Sequence, residues 1–238
     1  MKKKLLLSHL IYKVNDLEQG VKFFKNLGFS IEYGSKSKTN AIIYFRDKTY
    51  IEIRENMGVK PIYKFLLKVS NRKEFLETTL IQDRMNNSFL RFSLYAGDKE
   101  LLRIKNIYKE KLGKGSISKK IKRVDTKNNI LECSCFFPNN ANYIFYNSQF
   151  TNKNIWNVKH ENKICGIRKI VYGIDDREKA CLNSLDLDLR LEFIENQMGI
   201  KNVEFLTENG EKSNLVYLDE NWYVENNKNN FDIKWNEG

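Results

Sequence analysis

From Leu5 to Val14 the chain is rich in Leu, Ile and Val, with Tyr12 among them, and that run of strand-forming residues predicts a β-strand. From Asp16 the period changes. Leu17, Val21, Phe24 and Leu27 recur at helical spacing, so Asp16 to Leu27 predicts an amphipathic helix with Asn15 as N-cap and Gly28 as stop. Phe29 to Lys36, Asn40 to Arg46 and Thr49 to Arg54 predict three further strands, separated by turn-prone residues at Gly34 to Thr39 and at Arg46-Asp47-Lys48. Leu5 to Glu55 therefore reads as one βαβββ unit.

The pattern then recurs, which changes how the whole chain is read. Gly58 to Asn87 reads as a partly helical connector with Phe75, Leu76 and Leu80 as its apolar face, opened by a strand at Ile62 to Val69. Phe89 to Tyr95 predicts a strand and Asp98 to Leu112 a helix ended by Gly113. Ser116 to Val124, Ile130 to Phe137 and Tyr143 to Phe150 predict three more strands. A third pass runs from Ile164 to Glu225. Its strand Ile167 to Ile174 is followed by a helix Arg177 to Leu185 capped by Asp176, and then by strands at Leu191 to Glu195, Lys201 to Leu206, Asn214 to Leu218 and Trp222 to Glu225. The expected organisation is α+β: residues 1–152 as two modules (5–56 and 89–150) joined by the connector 57–88, and 153–238 as a third βαβββ-like module.

Composition narrows the partners. A chain of 238 residues with 41% hydrophobic and 30% charged residues can bury a core. A net charge of +11 ordinarily points to nucleic acid or an anionic membrane. Here Lys and Asn are spread from end to end, as in Lys36-Ser37-Lys38 and Asn226-Asn227-Lys228-Asn229-Asn230, so the charge reads as solvated surface. Neither a specific nucleic acid nor a membrane is expected, and no apolar run approaches the roughly 18 residues of a spanning helix. Met1-Lys2-Lys3-Lys4-Leu5-Leu6-Leu7 imitates a signal peptide, but Ser8, His9, Lys13 and Asn15 interrupt it, so it reads as a folded strand. Cys133, Cys135, Cys165 and Cys181 contain no CxxC pair, which fits thiols in a reducing cytoplasm. Cys133 and Cys135 lie two apart on a strand, share a face and do not easily bridge. No GxGxxG, GxxxxGK or GxSxG motif is present.

Several pieces of the first unit carry a resemblance: Ser8-His9-Leu10-Ile11-Tyr12, Asp16-Leu17-Glu18, Phe23-Phe24, Leu27-Gly28-Phe29, Thr39-Asn40-Ala41 and Tyr50-Ile51-Glu52. They resemble the vicinal oxygen chelate superfamily, and within it the glyoxalase-like domain branch. The resemblance implies βαβββ modules paired into a cupped mixed sheet with helices on the outside, holding a divalent metal (Zn, Mn, Fe or Ni) on side chains from first and last strands. His9 and Glu52 match two such ligand positions. His160-Glu161-Asn162-Lys163 resembles the His-Pro-Asn-Gly junction of the same branch with Glu for Pro and Lys for Gly, and His160 is the remaining candidate ligand. Arg123, the turn Asp125 to Asn129 and Ile130-Leu131-Glu132 also resemble the branch, and Asn40 and Arg123 are the candidate substrate-binding residues. The second unit departs from the pattern. Counting back from Asp98 as from Asp16 places Arg91 where His9 stands, and Tyr143 to Phe150 contains no acidic residue to answer Glu52.

Two functional readings follow, each with a small-molecule ligand. One is a metal-assisted lyase, isomerase or dioxygenase using the metal as a Lewis acid. The other is a metal-free small-molecule-binding or resistance protein of the same fold. A module interacting through its basic surface is a third reading, and a homodimer stays open. Beside them stand the plain alternatives: a packed, hydrogen-bonded His9, and Glu52 and Arg123 as solvated residues.

Overall fold

The computed structural model describes residues 4–35, 38–57, 59, 61–70, 72–113, 117–124, 126, 128, 130–148, 156, 158–195, 198–208, 216–217, 222–227 and 230–235. The first module is β1 (Leu6–Lys13), α1 (Leu17–Asn26), β2 (Glu32–Tyr33), β3 (Asn40–Tyr44) and β4 (Tyr50–Arg54). Asp16, not Asn15, caps α1, its carboxylate accepting the Gln19 N–H at 2.8 Å. β2 is shorter than its run of residues suggests, because Phe29 turns into the core and its N–H caps the helix end at Phe24 O.

The connector holds two helices, α2 (Pro61–Val69) and α3 (Lys73–Arg84). The strand expected at Ile62 to Val69 is thus a helix. Pro61 suits the first helical position, and Ile62, Phe65, Leu66 and Val69 fall at i, i+3, i+4 and i+7 along one stripe. A second module follows: β5 (Ser88–Tyr95), α4 (Asp98–Leu112), β6 (Ile117–Val124), β7 (Ile130–Phe137) and β8 (Phe145–Asn147).

These two modules share one curled eight-stranded mixed sheet in the order β2-β3-β4-β1-β5-β8-β7-β6. In each module the last strand pairs in parallel with the first, β4 with β1 and β8 with β5, and β1 and β5 join antiparallel at the centre. The chain after them forms β9 (Ile164–Ile174), α5 (Asp176–Leu182), β10 (Leu191–Glu195), β11 (Gly199–Thr207), β12 (Val216–Tyr217), β13 (Trp222–Asn227) and β14 (Asn230–Trp235). It shares the βα opening of the other units but not their pairing. β10 lies directly beside β9 in parallel, β11 takes the other edge of β9, and the order is β10-β9-β11-β14-β13-β12. β14 begins at the end of the Asn-rich stretch that reads from sequence as solvated surface, and no strand is expected there from the sequence.

One core joins all three units. Leu10, Phe92 and Leu94 from the central strands pack with Val21 and Phe24 of α1, Ile104 and Tyr108 of α4, and Ile170, Tyr172 and Val203 of the second sheet. That burial fills the convex side of the cup. Polar ties pin the junction: Asp188 accepts the Leu7 N–H at 2.7 Å, and Asp47 accepts both the Ile167 N–H at 3.1 Å and Arg190 Nη1 at 2.9 Å. At the end of α1, Gly28 has φ +83, and a Cβ there would lie 2.9 Å from the Asn162 backbone nitrogen. Gly28→Ala is expected to destabilise the protein by about 1–3 kcal/mol, read as a lowered urea midpoint. Among the described residues no helix is long and apolar enough to cross a membrane.

Candidate functional site

Strand alternation decides which residues face the concave side. In β4, Ile51 and Ile53 enter the core while Tyr50, Glu52 and Arg54 face the cup; in β1, Leu10 and Tyr12 are core while His9 and Ile11 face the cup. The β1–β5 register shifts twice, leaving Ser8 and Leu90 as extra residues beside His9 and Arg91. Bulges of this kind re-aim neighbouring side chains. With β7, β8, α2 and α3 the strands line a cavity of about 1080 Å³. That is ample for a small molecule.

The wall formed by β1, β3 and β4 carries a set of polar and ring contacts, with Arg54 Nε buried and unbonded among the described residues. The rings of His9 and Tyr50 stack with centroids 4.3 Å apart, Phe145 meets His9 edge-on, and Ser8 Oγ lies 2.9 Å from His9 Nδ1. Asn40 Nδ2 donates to Glu52 Oε1 at 2.6 Å, and Arg54 Nη1 lies 3.8 Å from the same oxygen. Gly34 lets the backbone approach this pair, since a Cβ there would meet Asn40 Oδ1 at 2.5 Å. The structure thus brings together His9, Glu52 and Asn40.

Arg91 stands on the neighbouring wall with different company. Its Nε donates to Gln82 Oε1 at 2.6 Å, its Nη2 donates to Thr79 Oγ1 at 3.1 Å, and the guanidinium lies over the Phe75 ring. Among the described residues no carboxylate forms an ion pair with it. Burial, and then the nearby charge of Arg54, push its guanidinium down to about 9, so it stays charged at neutral pH. Gln82 is itself held by Ala141 O and Asn142 Oδ1, which fixes the fork in place.

Strand register, and not distance from the helix, identifies the second module's counterparts of His9 and Glu52. His9 pairs with Tyr50 as Ser93 pairs with Phe145, and Glu52 follows Tyr50 by two residues as Asn147 follows Phe145. The counterparts are therefore Ser93 and Asn147. Counting back from the helix start lands on Arg91 because the stretch from Ser93 to α4 is shorter than the stretch from His9 to α1. The Ser93 hydroxyl donates to Asn147 Oδ1, and Asn147 Nδ2 donates to Ser148 O at 3.0 Å, so the hydroxyl and the amide are both engaged. Imidazole and carboxylate on one half face a neutral hydroxyl and amide on the other. Among the described residues no three His, Cys, Asp or Glu side chains are grouped to hold a metal ion. The donor set does not fit a divalent metal held by the protein alone.

His160 lies away from the cup. Its Nδ1 accepts the Ser30 N–H at 2.9 Å, which leaves Nε2–H to donate to Tyr44 O at 3.0 Å, and its ring sits edge-on among Phe29 and Phe45. Burial lowers its pKa despite the Tyr44 hydrogen bond, which keeps it neutral. The structure does not bring it to His9 and Glu52. His160→Ala is expected to cost about 2–4 kcal/mol by stranding two backbone groups, while leaving ligand affinity in the cup unchanged. Paired urea denaturation and ligand titration check both halves. Arg123 falls in β6 opposite Leu131, and its side chain lies outside the described residues. Sequence reasoning missed Tyr50, Arg54, Ser93, Asn147 and the role of Arg91; alternation from Glu52 was the signal for the first two.

Known proteins share the fold of this chain. No curated protein matches the chain. A hypothetical protein from Staphylococcus aureus shares 14% identity over 98% of this chain and 87% of its own, with a TM-score of 0.50. The 2,3-dioxygenase LapB from Pseudomonas sp. KL28 shares 16% identity over 89% of this chain and 77% of its own, with a TM-score of 0.52. At such identities the likeness speaks for the fold alone. The sequence from residue 7 to residue 187 matches the model of the glyoxalase-like domain, a span that takes in the whole eight-stranded cup and the first strand and helix behind it. The chain therefore belongs to the glyoxalase-like domain family, within the vicinal oxygen chelate superfamily.

Proposed function

We propose that the protein binds a small organic anion in the cup without a resident divalent metal, a carboxylate or phosphate being clamped by Arg91 and an apolar body resting on Tyr50, Phe137 and Phe145. The observation that carries this reading is Arg91: a buried guanidinium on the cavity wall whose contacts among the described residues are an amide oxygen, a hydroxyl and the Phe75 ring, with Asp83 acting on it as a nearby charge and not as an ion-pair partner. A buried cation with no carboxylate bonded to it is costly, and an anionic ligand relieves that cost with paired, charge-assisted hydrogen bonds. Arg54, whose charge lies near Arg91, and the Asn40–Glu52 pair line the same cavity and supply further polar contacts.

The test is calorimetric titration with matched pairs of small aromatic carboxylates or phosphates and their uncharged esters, all in EDTA. The charged member of a pair is expected to bind and its ester to bind far more weakly. Equal binding of both members overturns the reading.

A second reading is favoured by His9 and Glu52 sharing one wall: a metal on these two side chains whose remaining positions are filled by ligand oxygens. In that case binding appears only after Zn, Mn, Fe or Ni is added and is lost in both His9→Ala and Glu52→Ala.

A further inference from the structure

β7 brings two thiols to the same cavity. Cys133, Cys135 and Phe137 alternate with Ser134 and Phe136, so all three face the cup in one row, and Cys133 Sγ lies 3.7 Å from Cys135 Sγ. Along an extended strand, residues two apart are separated by about 6.6 Å, whereas a disulfide needs its Cβ atoms about 3.5–4.5 Å apart. A direct S–S bond therefore strains the strand. A bridge through one heavy atom does not: an atom bonded to both sulfurs at about 2.3 Å with near-tetrahedral angles holds them about 3.8 Å apart.

The surroundings choose the bridging atom. A zinc ion needs four donors, and among the described residues no third His, Cys, Asp or Glu joins the two thiols. A trivalent arsenic carrying one organic group needs only two sulfurs. We infer that Cys133 and Cys135 form a dithiol site for monosubstituted trivalent arsenicals, with the organic substituent lying along the stacked rings of Phe137 and Phe145, whose centroids are 5.2 Å apart. The reaction is a condensation without redox change. R–As(OH)2 and two Cys–SH give R–As(S–Cys)2 and two waters: two As–O bonds break, two As–S bonds form, and each thiol proton leaves with a hydroxyl. The hydrogen bond with Cys133 and then burial push the Cys135 thiol up, which keeps its proton in place until the condensation removes it. The site shares Phe137 and Phe145 with the proposed anion site but bonds through the thiols and not through Arg91, so loss of the arsenical adduct leaves the anion reading standing and the reverse holds as well.

Phenylarsine oxide, in its hydrated diol form, is the probe. Full-length native protein reduced with a phosphine is expected to gain one phenylarsenic unit per chain at stoichiometric probe by intact mass. Peptide mapping after alkylation should show Cys133 and Cys135 protected while Cys165 and Cys181 are not. A dithiol should remove the adduct where a monothiol does not, Cys133→Ser and Cys135→Ser should each lose it, and Cys181→Ser should keep it. An adduct that survives in the double Cys133→Ser/Cys135→Ser variant, or that forms only after urea unfolding, overturns the inference. Protection mapping on the native protein decides the matter even where a variant does not fold.

Discussion

Arg91→Met is expected to lower the affinity for an anionic ligand at least about thirtyfold while changing the stability of the ligand-free protein by less than about 2 kcal/mol. The two effects separate because they arise from different contacts. The ligand loses a fork of donors in a water-poor cavity, and truncating one partner of a buried charge pair ordinarily costs about 2–5 kcal/mol of binding. The free protein loses a buried cation whose described partners are Gln82 Oε1 and Thr79 Oγ1. Removing a buried charge that, among the described residues, only Asp83 and Tyr172 offset from nearby is favourable, leaving those two acceptors without a donor is unfavourable, and Met fills most of the volume. Arg91→Lys keeps the charge but loses the fork and is expected to fall between the two. Titration against the best carboxylate, alongside urea denaturation, reads both quantities. A variant that binds as tightly as the parent removes Arg91 from the site.

The second large effect concerns pH. Glu178 on α5 is fully buried, its Oε1 accepting the Ile144 N–H at 2.7 Å and its Oε2 lying 3.1 Å from the Tyr172 hydroxyl. Burial pushes its carboxyl up to about 8, against the opposing pull of those hydrogen bonds. The folded protein therefore holds a proton that the unfolded chain releases near 4.5. Glu178 stabilises the fold fully below that value, and its contribution declines as pH rises through about 8, with a slope of at most about 1.4 kcal/mol per pH unit. Glu178→Gln mimics the neutral acid and is expected to flatten the decline and to be the more stable protein at pH 9. Urea midpoints for both proteins from pH 5 to pH 9 provide the check; parallel curves would rule out Glu178 as the source.

Much of the first module was legible from local patterns. The helix stripe of Leu17, Val21 and Phe24 and the alternation of Tyr50-Ile51-Glu52-Ile53-Arg54 are properties of a few consecutive residues, and each appears in the fold. His9 and Glu52 were legible through family resemblance, and both line the cup. His160 was legible as a motif but not as a contact. Its sequence neighbours resemble a family junction, whereas its place is set by Ser30 and Tyr44, which lie far away in the chain. Arg91 was assigned by counting from a helix start, and the shorter stretch between Ser93 and α4 put Ser93 in the equivalent place instead. The third unit shows a related limit: its βα opening matches the others, yet that the next strand lies beside β9, and not at the far edge as β2 does from β1, is not written in its own residues.

By itself the sequence determined the order of the elements, the faces of most strands and helices, and membership of a family with a cupped sheet. These depend on period, capping and turn chemistry, which act over a handful of residues. Tertiary structure alone decided what the cup contains. Register across β1 and β5 set Ser93 and Asn147 opposite His9 and Glu52, curling of the sheet brought Arg91 and the Cys133–Cys135 pair to the same cavity, and the second sheet fixed the back of the cup through contacts such as Leu7 N–H to Asp188, 181 residues apart. Contacts at that range come from the packing of whole layers, so no short window of sequence contains them.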